Sequence, residues 1–166
     1  MPPQRTHDID LRDGLRPSDA SGLEDMLRAC SVFREDEVDV AMELIADALS
    51  KGDQSEYRFL VASADGKMIG YCCYGKIACT LHSFDVYWIA VDPRKRRAGV
   101  GRKLLAETEA RIHQIGGVRA YVETSAKPSY EPARRFYQAC GYRVECVQPD
   151  FYAPGDGKVT MVKVLL

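Results

Sequence analysis

Residues 96–102 read Arg-Arg-Ala-Gly-Val-Gly-Arg and stand between an apolar run and an amphipathic segment. Two glycines among arginines at this spacing suit the binding of a phosphate or another anion. Val86 to Val91 is apolar enough for a buried strand, Asp92-Pro93 ends it, and helical periodicity resumes near Val100. A helix start leaves backbone N–H groups without intrahelical acceptors and carries the positive end of the helix dipole. Gly99 and Gly101 would let an anion reach that main chain without Cβ obstruction. Arg96, Arg97 and Arg102 add charge. The run is not a P-loop, which needs Gly-Lys followed by Ser or Thr. Nor is it a dinucleotide fingerprint, which needs a third glycine where Leu104 stands.

The elements that must position this loop can be read on either side of it. Ile9, Leu11 and Leu15 fit a first strand. Pro17-Ser18-Asp19 opens a helix with Leu23, Met26, Leu27 and Cys30 on one face, and a second apolar stripe runs from Val38 to Leu49, closed by Gly52. Tyr57 to Ala64 and Met68 to Cys79 form two strands joined by the hairpin turn Asp65-Gly66, with Gly70 and Gly75 as bulge candidates. Phe84 to Val91 is the central strand. The helix after the loop turns Val100, Leu104, Leu105, Thr108, Ile112 and Ile115 inward and ends at Gly116-Gly117. Val118 to Thr124 is then a strand parallel to the central one, since a helix separates them. A further helix carries Ala133, Phe136, Tyr137 and Cys140 on one face. Tyr142 to Val147 and Val159 to Leu165 supply two last strands, with 149–157 as the loop between them.

The fold class is therefore α/β (α+β): a mixed, mostly antiparallel sheet of six to seven strands, helices on both faces, and one parallel pair around the loop. The expected organisation is a disordered tail over residues 1–8 and a single domain over 9–166. The length of 166 residues suits one core. A net charge of −1 gives no general case for nucleic acid or membrane binding, no run is long enough to span a bilayer, and the expected location is cytoplasmic. Six cysteines without a Cys-x-x-Cys pair read as reduced thiols, with no metal site expected. His82 lies in a loop before the central strand, where a solvated role is favoured over lining a site.

The loop Arg96-x-x-Gly99-x-Gly101 resembles the signature of the GNAT superfamily of N-acetyltransferases. The segment Ala133-Arg134-Arg135-Phe136-Tyr137, followed by Gly141-Tyr142, resembles that superfamily's second landmark, one helix and one strand later. The Val-Glu-Thr-Ser run at 122–125 and the helix around Tyr137 are further similar to ribosomal-protein alanine N-acetyltransferase-like bacterial members. The resemblance implies acetyl-coenzyme A as cosubstrate and an amine as acceptor. Ile89, Ala90 and Val91 would offer backbone groups to the pantetheine arm. Arg97, Ala98, Gly99, Val100, Gly101 and Arg102 would hold the pyrophosphate, with Arg96 at the first motif position. Many members carry Asn seven residues before the motif tyrosine; here Tyr130 stands there and offers only a hydroxyl. Dimerisation is common in the superfamily, although no stretch marks an interface.

Transfer to an amine makes a physical demand. A lysine-like amine of pKa about 10.4 costs roughly 4.6 kcal/mol to deprotonate at pH 7, and an α-amine near 8 only about 1.4. Glu123, near the end of the strand after the loop, is the first candidate for the base, acting through water, with Asp150 and Asp85 behind it. Tyr137 would protonate the departing thiolate, a step uphill by roughly 2 kcal/mol. A catalytically idle acyl-coenzyme A sensor or interaction module is the competing reading, and the acceptor and acyl-chain preference stay open.

Overall fold

The computed structural model describes residues 9–96 and 98–166; the expected tail at 1–8 and Arg97 lie outside the described residues. The elements are β1 (Asp10–Asp13), α1 (Ala20–Ala29), α2 (Glu35–Lys51), β2 (Arg58–Ala64), β3 (Lys67–Lys76), β4 (Ser83–Val91), α3 (Val100–Gln114), β5 (Arg119–Ser125), α4 (Glu131–Ala139), β6 (Arg143–Ala153) and β7 (Asp156–Val164). Among the described residues seven strands are hydrogen-bonded in the order β1-β2-β3-β4-β5-β7-β6. Pairing of β4 with β5 is parallel. The chain divides into two compact units, one of residues up to 73 with 88–105, the other of 74–87 with 106–166, so β3, β4 and α3 each run through both.

In the first unit β1 pairs antiparallel with β2, from Asp10 opposite Ser63 to Asp13 opposite Leu60. Helix α1 buries Leu23, Met26 and Leu27, and α2 buries Val38, Ala41 and Ile45, the spacing that a single apolar stripe requires. Each such large side chain, fully removed from water, contributes roughly 1.5–3 kcal/mol. Glu35, Asp36 and Glu37 complement the positive end of α2, and the Glu37 carboxylate accepts from the Arg34 backbone N–H at 2.8 Å. The β2–β3 turn carries Asp65 and Gly66 at φ of 52° and 73°, the left-handed pair that a tight hairpin demands. Gly70 lies within β3. It is small because a Cβ there would lie 2.9 Å from Leu104 Cδ1 on α3 and 3.0 Å from the Ala90 carbonyl. The next residue, Tyr71, on the alternate face, stacks with Phe59 and lies beside Cys30 at the end of α1.

In the second unit β5 pairs antiparallel with β7 along its whole length, from Arg119 opposite Val164 to Ser125 opposite Lys158. These registers put Phe84, Ala120, Val122 and Met161 on one buried face, close to Ile112 of α3. The alternating residues Asp85, Tyr121, Glu123, Thr160 and Lys158 share the other. Two sequence expectations need correction. Ile115 lies beyond the end of α3 and is exposed, so it is not on the inner face. The segment 149–157, read as a loop, is mostly strand: β6 continues to Ala153 and β7 starts at Asp156, with only Pro154-Gly155 turning. Register shifts along β6 and a positive φ of 51° at Asp150 break the alternation that would have signalled a strand.

Candidate functional site

The first unit holds the loop. Strand β4 is tied to β3 through the Asp92 N–H to the Ile69 carbonyl at 2.9 Å. Its parallel ladder to β5 comprises Ser83–Arg119, Phe84–Ala120 and Asp85–Tyr121 and goes no further. Ile89, Ala90 and Val91 therefore lie on a stretch of strand with no ladder partner on that edge among the described residues. Asp92 caps the turn that follows, accepting from the Arg94 backbone N–H at 2.9 Å and from the Arg94 guanidinium at 2.8 Å. Those bonds hold its carboxyl below the usual carboxylate range. Arg94 is thus occupied internally, while Arg96 and Arg102 are exposed.

Gly99 has φ of 77° and nothing within 4 Å of where a Cβ would stand. Left-handed backbone explains the glycine, and the empty space beside it would admit a ligand to the main chain. Helix α3 starts at once, with the Lys103 N–H bonded to the Gly99 carbonyl at 2.9 Å, and Val100 buries its side chain, which fixes the helix end in place. Strand edge, open glycine and helix start together present backbone groups to an extended ligand that ends in an anion.

The second unit holds the acid–base candidates. Glu123 is exposed, and its Oε1 lies 3.0 Å from Lys158 Nζ, whose ammonium also sits 3.9 Å from the Phe151 ring centroid. Asp85 is half-buried. Burial, and secondarily the charge of Glu123, push its carboxyl up to about 6 against the opposing pull of Lys158. Asp150 is exposed and its Oδ1 accepts from the Gly155 N–H at 2.6 Å, so this carboxylate closes the β6–β7 hairpin. Tyr137 is buried on α4, edge-on to Phe136 at 5.3 Å and to Tyr142 at 5.6 Å. Tyr130 stands at the N-terminus of the same helix, half-buried.

The structure thus places Glu123 and Tyr137 in one unit and Ile89–Val91 with Arg96, Ala98, Gly99, Val100, Gly101 and Arg102 in the other; Arg97 lies outside the described residues. His82 bonds the Gly116 carbonyl through Nδ1 at 2.9 Å, anchoring the approach to β4. Sequence reasoning missed Lys158, which lies 35 residues from Glu123 and meets it only through strand pairing. It also missed the network joining the end of β5 to α4. There Ser125 donates to the buried Asp156 at 2.5 Å, and Arg134 donates to the carbonyls of Ser125 and Lys127. Cys30, Cys72 and Cys73 are buried free thiols, whereas Cys79 and Cys146 are exposed.

A family model described as an acetyltransferase (GNAT) domain matches residues 55–144. An uncharacterized N-acetyltransferase of Methanocaldococcus jannaschii is 31% identical over 110 residues, 63% of this chain and 65% of its own. The chain therefore spans less than two thirds of that relative's length. The crystal structure of an acetyltransferase of the GNAT family from Desulfovibrio desulfuricans superposes with a TM-score of 0.93 at 36% identity, covering 96% of this chain and all of that one. A PaiA N-acetyltransferase from Thermoplasma acidophilum, solved in complex with coenzyme A, shares the fold with a TM-score of 0.73 at 19% identity, covering 95% and 99% of the two chains.

Proposed function

Because this chain belongs to the GNAT acetyltransferase family, we propose that it moves the acetyl group of acetyl-coenzyme A directly onto a primary amine of a small molecule or a protein. The observation that carries the reading is the edge of β4 at Ile89–Val91, which has no ladder partner toward β5 among the described residues, running straight into the open backbone at Gly99 and the start of α3. Ile89–Val91 bind the pantetheine arm as a neighbouring strand would, and the main chain from residue 97 to 102 binds the pyrophosphate, with Arg96 and Arg102 adding charge. The hydroxyl of Tyr130 is a further donor for the pantetheine.

The thioester supplies an activated acyl carbon. The amine nitrogen bonds to that carbon while the carbon–sulfur bond breaks. A carboxylate of the polar face, Glu123 in the reading from sequence, takes the amine proton through water, and the Tyr137 phenol gives its proton to the departing sulfur. Isothermal titration with acetyl-coenzyme A and coenzyme A tests the binding half. Saturable binding by the wild type, lost in a folded Gly99→Val, Gly101→Val variant, supports the loop's role; absence of binding by the wild type refutes the proposal.

A further inference from the structure

Lys163 is a charged residue on an apolar face. It stands opposite Ala120 in the β5–β7 register, on the side of the sheet that buries Phe84, Val122 and Met161. Its ammonium meets the Glu109 carboxylate of α3 at 2.6 Å, and both side chains are largely withdrawn from water. Withdrawing two charges is offset only when their remaining hydrogen-bonding positions are also filled, and Glu109 Oε1 has no hydrogen-bond partner among the described residues. An apolar pair of similar volume commonly stabilises such a contact as well or better. Stability alone therefore does not account for these two residues, and what surrounds them does.

The Lys163 stem runs past the turn that ends α4, its Cε 3.4 Å from where a Gly141 Cβ would stand. Its ammonium lies 5.8 Å from the centroid of the Tyr142 ring, within reach of a cation–π contact. Tyr142 in turn is edge-on to Tyr137 at 5.6 Å, and its N–H bonds the Tyr137 carbonyl at 3.0 Å. Glu109, Lys163, Tyr142 and Tyr137 thus form one chain of contacts within the second unit. Resting on the acetyl-transfer reading above, we infer that Glu109 and Lys163 are positioning residues that hold Tyr142, and through it the Tyr137 phenol, in the orientation that delivers its proton to the departing sulfur. In that step the Tyr137 O–H bond breaks and an S–H bond forms on coenzyme A, as the carbon–sulfur bond parts with its electron pair on sulfur. The ion pair exchanges no proton itself.

The test is steady-state kinetics with acetyl-coenzyme A and the amine that the wild type turns over fastest. It compares the wild type, the apolar double variant Glu109→Leu, Lys163→Met, the single variant Tyr137→Phe, and the triple variant that combines all three. Thermal melts and coenzyme A titration serve as folding controls, and Glu109→Gln repeats the comparison with a smaller change of packing. The double variant is expected to keep both KM values within about twofold and to lose about tenfold or more in kcat, the scale of a misplaced catalytic group. In the Tyr137→Phe background the same two substitutions should lower kcat by less than about twofold, because the group they position has already lost its proton. A folded double variant and Glu109→Gln with wild-type kcat, or a loss as large in the Tyr137→Phe background as in the wild type, overturns the inference while leaving the transfer reading intact. A wild type that acetylates no amine overturns both.

Discussion

The Arg134 guanidinium on α4 donates to the carbonyl of Ser125, the last residue of β5, at 2.5 Å, and to the carbonyl of Lys127 at 3.1 Å. Ser125 in turn donates its hydroxyl to Asp156, which is 1% exposed, and Lys127 Nζ lies 3.4 Å from the same carboxylate. This clamp fixes the end of the strand bearing Glu123 to the helix bearing Tyr137. Arg134→Met removes a charged donor and leaves two carbonyls without it. Stability should fall by about 1.5–3 kcal/mol, read from urea unfolding at an unchanged m-value.

Two glycines should behave in opposite ways. A Cβ at Gly117 would meet Ile112 Cγ2 at 2.2 Å and Phe84 Cδ2 at 2.8 Å, so Gly117→Ala overpacks the core and costs about 1–3 kcal/mol. Gly99→Ala meets no atom, and its cost is only the left-handed backbone, roughly 1–2 kcal/mol. Its larger effect should be on coenzyme A affinity. Thermal melts and titration calorimetry on the two variants separate these outcomes.

Tyr137→Phe keeps the ring that packs against Phe136 and Tyr142 and removes the proton. Coenzyme A binding should stay within a few-fold of wild type. Turnover should fall about 100-fold or more, with the basic limb of the pH profile altered. Steady-state kinetics alongside calorimetry checks both; unchanged turnover would remove the acid role.

Asp85 should cost stability as pH rises. Its folded-state carboxyl is raised from the ordinary 3.8 to about 6 by burial first and the charge of Glu123 second, so between those values the folded protein holds the extra proton. The full stability of the protonated form is present below 3.8 and is lost as pH passes 6. Asp85→Asn should therefore match the wild type near pH 3.5 and exceed it by about 1–2 kcal/mol near pH 7.5, allowing for solvent screening. Denaturant titrations at the two pH values measure this.

Local chemistry made much of the fold legible. Asp65-Gly66 named its hairpin, and Gly116 and Gly141, at φ of 90° and 93°, named the ends of α3 and α4. The strand–loop–helix order around Gly99 was equally plain, because every signal in it lies within a few residues. What depended on distant pairing was not. The β6–β7 hairpin was hidden by Pro149, Pro154 and the left-handed Asp150, which read as loop although the backbone continues as strand to Ala153. Glu123 was visible as a carboxylate at a strand end, but the Lys158 that holds it and the burial that singles out Asp85 arise only when β4, β5 and β7 align.

The most direct measurement is thiol release from acetyl-coenzyme A by the purified protein across a panel of amines: peptides with free N-termini, lysine side chains, polyamines, amino acids and aminoglycosides. Mass spectrometry of the acceptor accompanies each reaction. The expected result is release that depends on at least one amine and matches an acetylated product mole for mole. Coenzyme A binding with no amine-dependent release anywhere in the panel would contradict it and leave a thioester-binding protein without the transfer.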